Sequence, residues 1–160
     1  MTNLKTRDME LALVRYLNNR VNFIIPNVFW GLNFNYELDL MVVKNSGYAY
    51  EIEIKTSISD LKAEKWKKNK HYSNRIKQLY FAIPWVLLQK AEPLIPERAG
   101  IYTVDEYSRV RLYRKPKINV NARRLTEKEI IKLGKLSNMR MWNAIETLNQ
   151  RIKDGTIKNN

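Results

Sequence analysis

The sequence has no cysteine and a single histidine, His71. The first absence excludes a disulfide framework and any thiolate metal centre. The second leaves too few imidazoles for the usual multi-histidine zinc sites and makes a histidine-based catalytic triad a poor fit. What remains for metal chemistry is a hard cation on oxygen ligands. No stretch of about 18 apolar residues runs without charge, so no transmembrane helix is expected. The N-terminal segment from Met1 to Glu10 also lacks the apolar run of a signal peptide, which points to a cytoplasmic protein. Acidic residues are in short supply, 16 against 29 lysines and arginines, for a formal charge of +13. That excess favours a polyanionic partner such as nucleic acid or an anionic membrane surface, the bland alternative being a generally basic soluble protein. At 160 residues and 44% hydrophobic content, one globular domain is expected, spanning 1–152 with a flexible polar tail at 153–160. No internal repeat or dividing linker is visible.

The informative stretch runs from Glu37 to Lys55. Two apolar-rich runs, Glu37 to Val43 and Tyr48 to Lys55, flank a turn at Asn45-Ser46-Gly47 and read as a hairpin. With the two-residue period of a strand, Glu37, Asp39 and Met41 share one face of the first run, and Glu51, Glu53 and Lys55 share one face of the second. Ile52 and Ile54 then face a helix-covered core. Four of the sixteen acids lie between Glu37 and Glu53. Each close carboxylate pair repels by roughly 4 kcal/mol at an effective dielectric of about 20, so the cluster calls for a cation. The same residue types also make exposed cross-strand salt-bridge ladders, worth under about 1 kcal/mol per pair.

Asp39 followed after a short connection by Glu53-Ile54-Lys55 resembles the PD-(D/E)xK nuclease superfamily. The wording from Glu51 to Ser57, from Ser59 to Trp66 and from Leu79 to Pro84 is similar to the MmcB-like branch associated with DNA repair. The likeness covers roughly Glu37 to Pro84. Leu38 stands where the motif's name puts proline, a position that shapes backbone and supplies no ligand. The resemblance implies a restriction-endonuclease-like α/β core and hydrolysis of DNA phosphodiesters with Mg²⁺ or Mn²⁺. Asp39 would bridge to the metal, Glu53 would be a second ligand, and the Ile54 carbonyl a third. Lys55 would orient or deprotonate the attacking water, or stabilise charge on phosphorus. Glu10, on the first helix, is a further ligand implied by the superfamily, a solvated helix glutamate being the alternative. Glu37 and Glu51 are other groups that could complete a second metal site.

In chain order, Leu4 to Leu17 shows helical spacing, with Thr6 as a possible N-cap. Val21 to Leu32 reads as a strand broken at Pro26. Pairing with Leu38 to Val43 makes a three-stranded meander. Ser57 and Asp60 read as a capping box for a lysine-rich helix from Asp60 to about Lys70, which makes Asp60 a cap in preference to a catalyst. Leu79 to Trp85 reads as a strand buried on both faces and parallel to its neighbour. A short helix at Val86 to Ala91 and strands at Gly100 to Val104 and Arg109 to Tyr113 follow. Arg109 to Arg124 holds seven basic residues and no acid, either a phosphate-contacting edge or an edge strand kept from pairing by charge. Thr126 and Glu129 form a second capping box, opening a C-terminal helix or helix pair whose buried face would hold Ile130, Leu133, Leu136, Met139 and Trp142. The architecture expected is helix, meander, helix, fourth strand and a C-terminal helical extension.

For nucleic-acid contact the candidates are Lys62, Lys65, Trp66, Lys68, Arg75 and Lys77, with basic residues meeting phosphates and Trp66 or Tyr72 stacking on bases. Tyr80, inside an apolar run, is expected in the core. The expected partner is DNA, and a homodimer through Met139, Met141 and Trp142 is possible. Two other classes use the same composition: a nucleic-acid-binding module without turnover, and a basic scaffold for protein or anionic lipid.

Overall fold

The hairpin forms where its turn residues allow it. β2 (Leu38–Val43) and β3 (Ala49–Ile54) pair antiparallel, Met41 opposite Glu51 and Val43 opposite Ala49. Gly47 takes φ +81°, left-handed backbone that suits glycine, and its amide donates to the Lys44 carbonyl at 2.8 Å. The computed structural model of the chain describes residues 4–29, 32, 34–65 and 71–155, with backbone alone at 64 and 65.

β1 (Phe23–Val28) joins β2 antiparallel and completes the expected meander. The strand does not break at Pro26, which lies within it opposite Leu40. β1 is an edge of the sheet, and an edge tolerates a proline whose missing N–H faces away from the partner strand. The Arg140 guanidinium donates to the carbonyls of Pro26 and Asn27 just there.

The six strands follow chain order across the sheet. β4 (Ile76–Pro84) pairs parallel to β3, as its helical crossover requires, and β5 (Gly100–Val104) pairs parallel to β4. β6 (Val110–Arg114) closes the other edge antiparallel to β5. The crossover contains α2 (Ile58–Lys65), which starts two residues before the expected Asp60 because the Ser57 hydroxyl accepts the Asp60 amide at 3.2 Å. Its expected continuation to Lys70 lies outside the described residues. After β4 the chain makes a 3₁₀ turn at Trp85–Leu87, α3 (Leu88–Ala91) and a second 3₁₀ turn at Glu92–Leu94.

Two layers cover the sheet. α1 (Thr6–Tyr16) presses Met9 and Leu13 onto Leu40, Val42, Ile52, Ile54 and Tyr80. Its N-cap is Lys5, one residue before the expected Thr6, and Asp8 accepts the Lys5 amide at 3.2 Å. The opposite face carries two separate apolar packs. One gathers Ile25, Met41 and Val43 under Leu133 and Leu136; the other gathers Leu79, Phe81, Ile83 and Ile101 under Leu61 and Leu88. β3 runs between them. The central strand therefore carries its polar face in a seam with apolar packing on both sides.

The C-terminal segment is one helix, α4 (Glu127–Lys153), 27 residues long. The Thr126 hydroxyl accepts the Glu129 amide at 3.3 Å and the Glu129 carboxylate accepts the Thr126 amide at 2.9 Å, the expected capping box. Leu133 and Leu136 are buried and Ile130 partly so, but Met139 and Trp142 are 51% and 55% exposed. Met139 and Trp142 face solvent while Arg140 between them still reaches β1, which corrects the expected buried face. Among the described residues no helix is long and apolar enough to cross a membrane.

Glu129 also binds Arg123 at 2.7 Å and Arg75 at 2.6 Å, joining the cap of α4 to the start of β4. The Arg123 hydrogen bonds hold its carboxyl far below the ordinary carboxylate range, against the opposing effect of burial. A depressed acid stabilises the fold fully above its unfolded value, about 4.3, and that stabilisation fades as pH falls toward the folded value. Glu129→Gln is expected to lower stability by about 1–3 kcal/mol at pH 7. In thermal melts the gap between the two proteins should narrow as pH is lowered from 5 to 3.

Candidate metal centre

β3 alternates its side chains as the two-residue period dictates. Ile52 and Ile54 enter the α1 pack, while Glu51, Glu53 and the following Lys55 enter the seam. Glu51 is 0% exposed, Glu53 1% and Lys55 6%. An exposed salt-bridge ladder is thus not what these residues form. Buried carboxylates need close partners, because stripping each of water costs several kcal/mol.

The partners come from three directions. The Tyr36 hydroxyl donates to Glu51 Oε2 at 2.9 Å, and His71 Nδ1 meets Glu51 Oε1. Burial first, then the Glu51 charge, pushes the Tyr36 phenol far above its ordinary value, so it stays a hydrogen-bond donor. Lys55 Nζ lies 3.2 Å from Glu53 Oε2 and 3.8 Å from Asp60 Oδ1. Asp60 therefore combines its capping position with a contact to Lys55. Asp39 Oδ2 accepts the Ile54 amide at 2.7 Å. Asp39 directly precedes Leu40, which pairs with Ile52. The last turns of this hairpin ladder thus bring Asp39, Glu53, Ile54 and Lys55 into one neighbourhood.

Ligand atoms of Glu51, Glu53 and His71 all lie within 4.8 Å of one another, so this buried group could hold a metal ion. Two carboxylate oxygens and an imidazole nitrogen suit first-row divalent ions such as Mn²⁺ as well as harder cations. His71 and Tyr36 are the residues that sequence reasoning missed. His71 takes φ +66°, its carbonyl accepts from Arg98 Nη2 at 3.2 Å, and its ring sits edge-on to Tyr36 and Phe81 at 5.2 and 5.8 Å. Nothing in its local sequence signals this. The parallel crossover alone returns the chain beside β3.

The remaining candidates are dispersed. Glu10 is paired with Arg7 at 2.9 Å, on the helix that covers the face opposite the seam. Glu37 is exposed and outside the cluster. Lys62 is exposed on α2, Arg75 is bound to Glu129, and Lys77 Nζ sits 3.4 Å over the Tyr48 ring. The Lys65 side chain, Trp66 and Lys68 lie outside the described residues. Tyr80 is in the core as expected, stacked on Tyr102 with centroids 4.6 Å apart. Within the basic run, Arg109 binds Asp105 at 2.7 Å, Arg114 holds the Ala99 and Pro96 carbonyls at 3.0 and 2.9 Å, and Arg123 binds Glu129. Three of its charges thus serve the fold.

The mixed α/β fold is shared with a solved structure, the SPO1766 protein of unknown function from Silicibacter pomeroyi, with a TM-score of 0.63 and 16% identity. The match covers 92% of this chain and 94% of that one, and shows the fold alone. No curated protein matches the chain. Family membership comes from sequence: the family model described as DNA repair protein MmcB-like matches residues 14–144, and the chain belongs to that MmcB-like family. The family suggests a role in DNA repair and, with it, interaction with DNA.

Removing one partner of a buried charged pair costs about 3–5 kcal/mol, whereas replacing both by apolar groups recovers part of the loss. His71→Leu is expected to lower the melting temperature by several degrees. Glu51→Leu/His71→Leu should melt above that single variant, as differential scanning fluorimetry would show.

Proposed function

We propose that this protein is a divalent-metal-dependent DNA endonuclease of the PD-(D/E)xK kind, with a restriction-endonuclease-like core, hydrolysing phosphodiester bonds in DNA repair or recombination. The observation that carries the reading is the buried Glu53–Lys55 pair at the end of a hairpin ladder, with Asp39 hydrogen-bonded to the intervening residue. In a basic protein, acids buried together beside a lysine are costly for stability alone.

Asp39 and Glu53, with the Ile54 carbonyl, are the residues that would hold Mg²⁺ or Mn²⁺; Glu10, paired with Arg7 on the helix over the opposite face, is left out of this centre. Glu51 and His71 lie close enough to Glu53 to contribute to the same centre or to a second one. A bound divalent ion would lower the pKa of a coordinated water and polarise the scissile phosphate. Lys55 supplies what the carboxylates cannot: a positive donor that orients the attacking water or balances charge developing on phosphorus. Its own position is set by Glu53 on one side and Asp60 on the other. Lys62, Lys65, Trp66, Lys68, Arg75 and Lys77 are proposed to contact the nucleic acid, the basic residues through its phosphates.

A second reading, a nuclease-fold module that binds nucleic acid without cutting it, draws on one observation. Tyr36 and His71 engage both Glu51 oxygens and Lys55 engages Glu53, so protein groups answer the buried charge. Incubation with plasmid, linear, single-stranded and branched DNA in Mg²⁺ or Mn²⁺ separates the two. Cleavage is expected, abolished by EDTA and lowered about 100-fold or more in Asp39→Ala and Lys55→Ala. Calorimetric Mn²⁺ titration should show binding to the wild type that weakens in Asp39→Asn. Products that persist in EDTA, or undiminished cleavage by both variants, overturn the assignment; tight DNA binding without products under either metal establishes the second reading.

A further inference from the structure

The seam has a neighbour of opposite character. Beside the first half of β4 lies a cleft of about 300 Å³, whose walls include His71, Tyr72, Lys77, Arg98, Lys117 and Asn119. Three of its lining residues are cations and none of those lining it is a carboxylate, although Lys117 pairs with Glu97 at 3.1 Å, Arg98 donates to the His71 carbonyl at 3.2 Å and Lys77 lies over the Tyr48 ring. The floor is rigid: the Asn119 amide donates to the Lys77 carbonyl at 2.9 Å, and its side-chain amide donates to the Ser73 and Ile76 carbonyls at 3.1 and 2.9 Å. The Lys117 amide donates to the Arg98 carbonyl at 2.9 Å. Basic groups from β4, from the segment before β5 and from the strap after β6 are thereby held around one space.

An aromatic surface adjoins the cations. The Arg98 guanidinium lies 4.2 Å from the Tyr72 ring centroid, yet Tyr72 is 69% exposed. A cation-backed ring of that kind suits a stacked base, and the surrounding ammonium and guanidinium groups suit phosphate oxygens. The volume is at the small end of ligand sites, enough for one nucleotide unit and too little for a duplex. His71 belongs to both places, since Nδ1 meets Glu51 while the residue forms part of the cleft wall.

We infer that this cleft is a binding subsite for one nucleotide of a single-stranded segment, its phosphate among Lys77, Arg98 and Lys117 and its base on Tyr72, beside the acidic seam. The inference rests on the nucleic-acid reading above and adds the place where an unpaired strand is held. It implies a substrate with a frayed, flapped or single-stranded portion next to the point of attack.

The experiment is fluorescence anisotropy with a labelled oligothymidylate and a duplex of equal length, in Ca²⁺ to hold any cleavage back, across a range of KCl. Three variants are compared with wild type: Tyr72→Ala, Lys117→Ala and Lys132→Ala. The Lys117 side chain pairs with Glu97 where both are exposed, and Tyr72 is largely in solvent, so both variants should fold, which melting curves check. Lys132, exposed on α4, removes the same charge away from the cleft. Tyr72→Ala should weaken oligothymidylate about tenfold and the duplex little. Lys117→Ala should weaken binding more than Lys132→Ala and reduce the slope of log affinity against log salt by about one. Equal losses at positions 117 and 132, or an unaffected Tyr72→Ala, overturn the subsite even if wild type cuts DNA. Conversely, cleft-dependent binding with no cleavage in Mg²⁺ keeps the subsite and removes the nuclease. Thymidine monophosphate that competes as tightly as the oligonucleotide also overturns it, since the site would then take free nucleotides.

Discussion

The structure depends on two glutamates that occupy the inner face of its central strand. Glu51 and Glu53 lie between two apolar packs, and neither could stay there as a bare anion. The groups that balance them come from separate parts of the chain: Tyr36 from before β2, Lys55 from the end of β3, and His71 from the far end of the crossover. Several otherwise unrelated features follow. His71 adopts a left-handed backbone, Arg98 reaches back to hold its carbonyl, and Phe81 and Tyr36 fix its ring. Replacing the seam with leucines would make a simpler core. A chain that retains it keeps a cluster able to bind a cation.

Around that seam the sheet is conventional in its physics. Short connections make antiparallel neighbours, helical crossovers make parallel ones, and each edge strand carries residues that discourage further pairing. The basic charge is less uniform than the composition suggests. Arg75, Arg114 and Arg123 are tied to carboxylates or carbonyls within the fold, and Lys77, Arg98 and Lys117, which line an open cleft, also hold the Tyr48 ring, the His71 carbonyl and Glu97. Net charge alone describes the field at a distance; which cations face a ligand is decided by topology.

Local sequence carried the elements whose causes are local. Asn45-Ser46-Gly47 announces a hairpin because a left-handed residue must end the loop, and Thr126 with Glu129 announces a helix start through reciprocal capping. The period of β3 separates Ile52 and Ile54 from Glu51, Glu53 and Lys55 with no knowledge of the neighbours. Burial of the acids was not legible, because an exposed ladder and a buried cluster share one alternating pattern. His71 was read only as too few imidazoles for a multi-histidine zinc site, and it lies in a group that could hold a metal ion, a relation created by the fold across twenty residues. Pro26 misled because its cost depends on which strands lie beside it. Met139 and Trp142 continued a helical stripe, but a stripe does not reveal which of its residues the sheet covers.

The clasp between α4 and β1 bears on whether another chain could add a strand to the sheet at this edge. A foreign strand can extend a sheet only where it finds a continuous row of open backbone donors and acceptors. Pro26 has no donor to offer, and the guanidinium of Arg140 already occupies the carbonyls of Pro26 and Asn27. Template growth from that side is closed by the molecule's own helix.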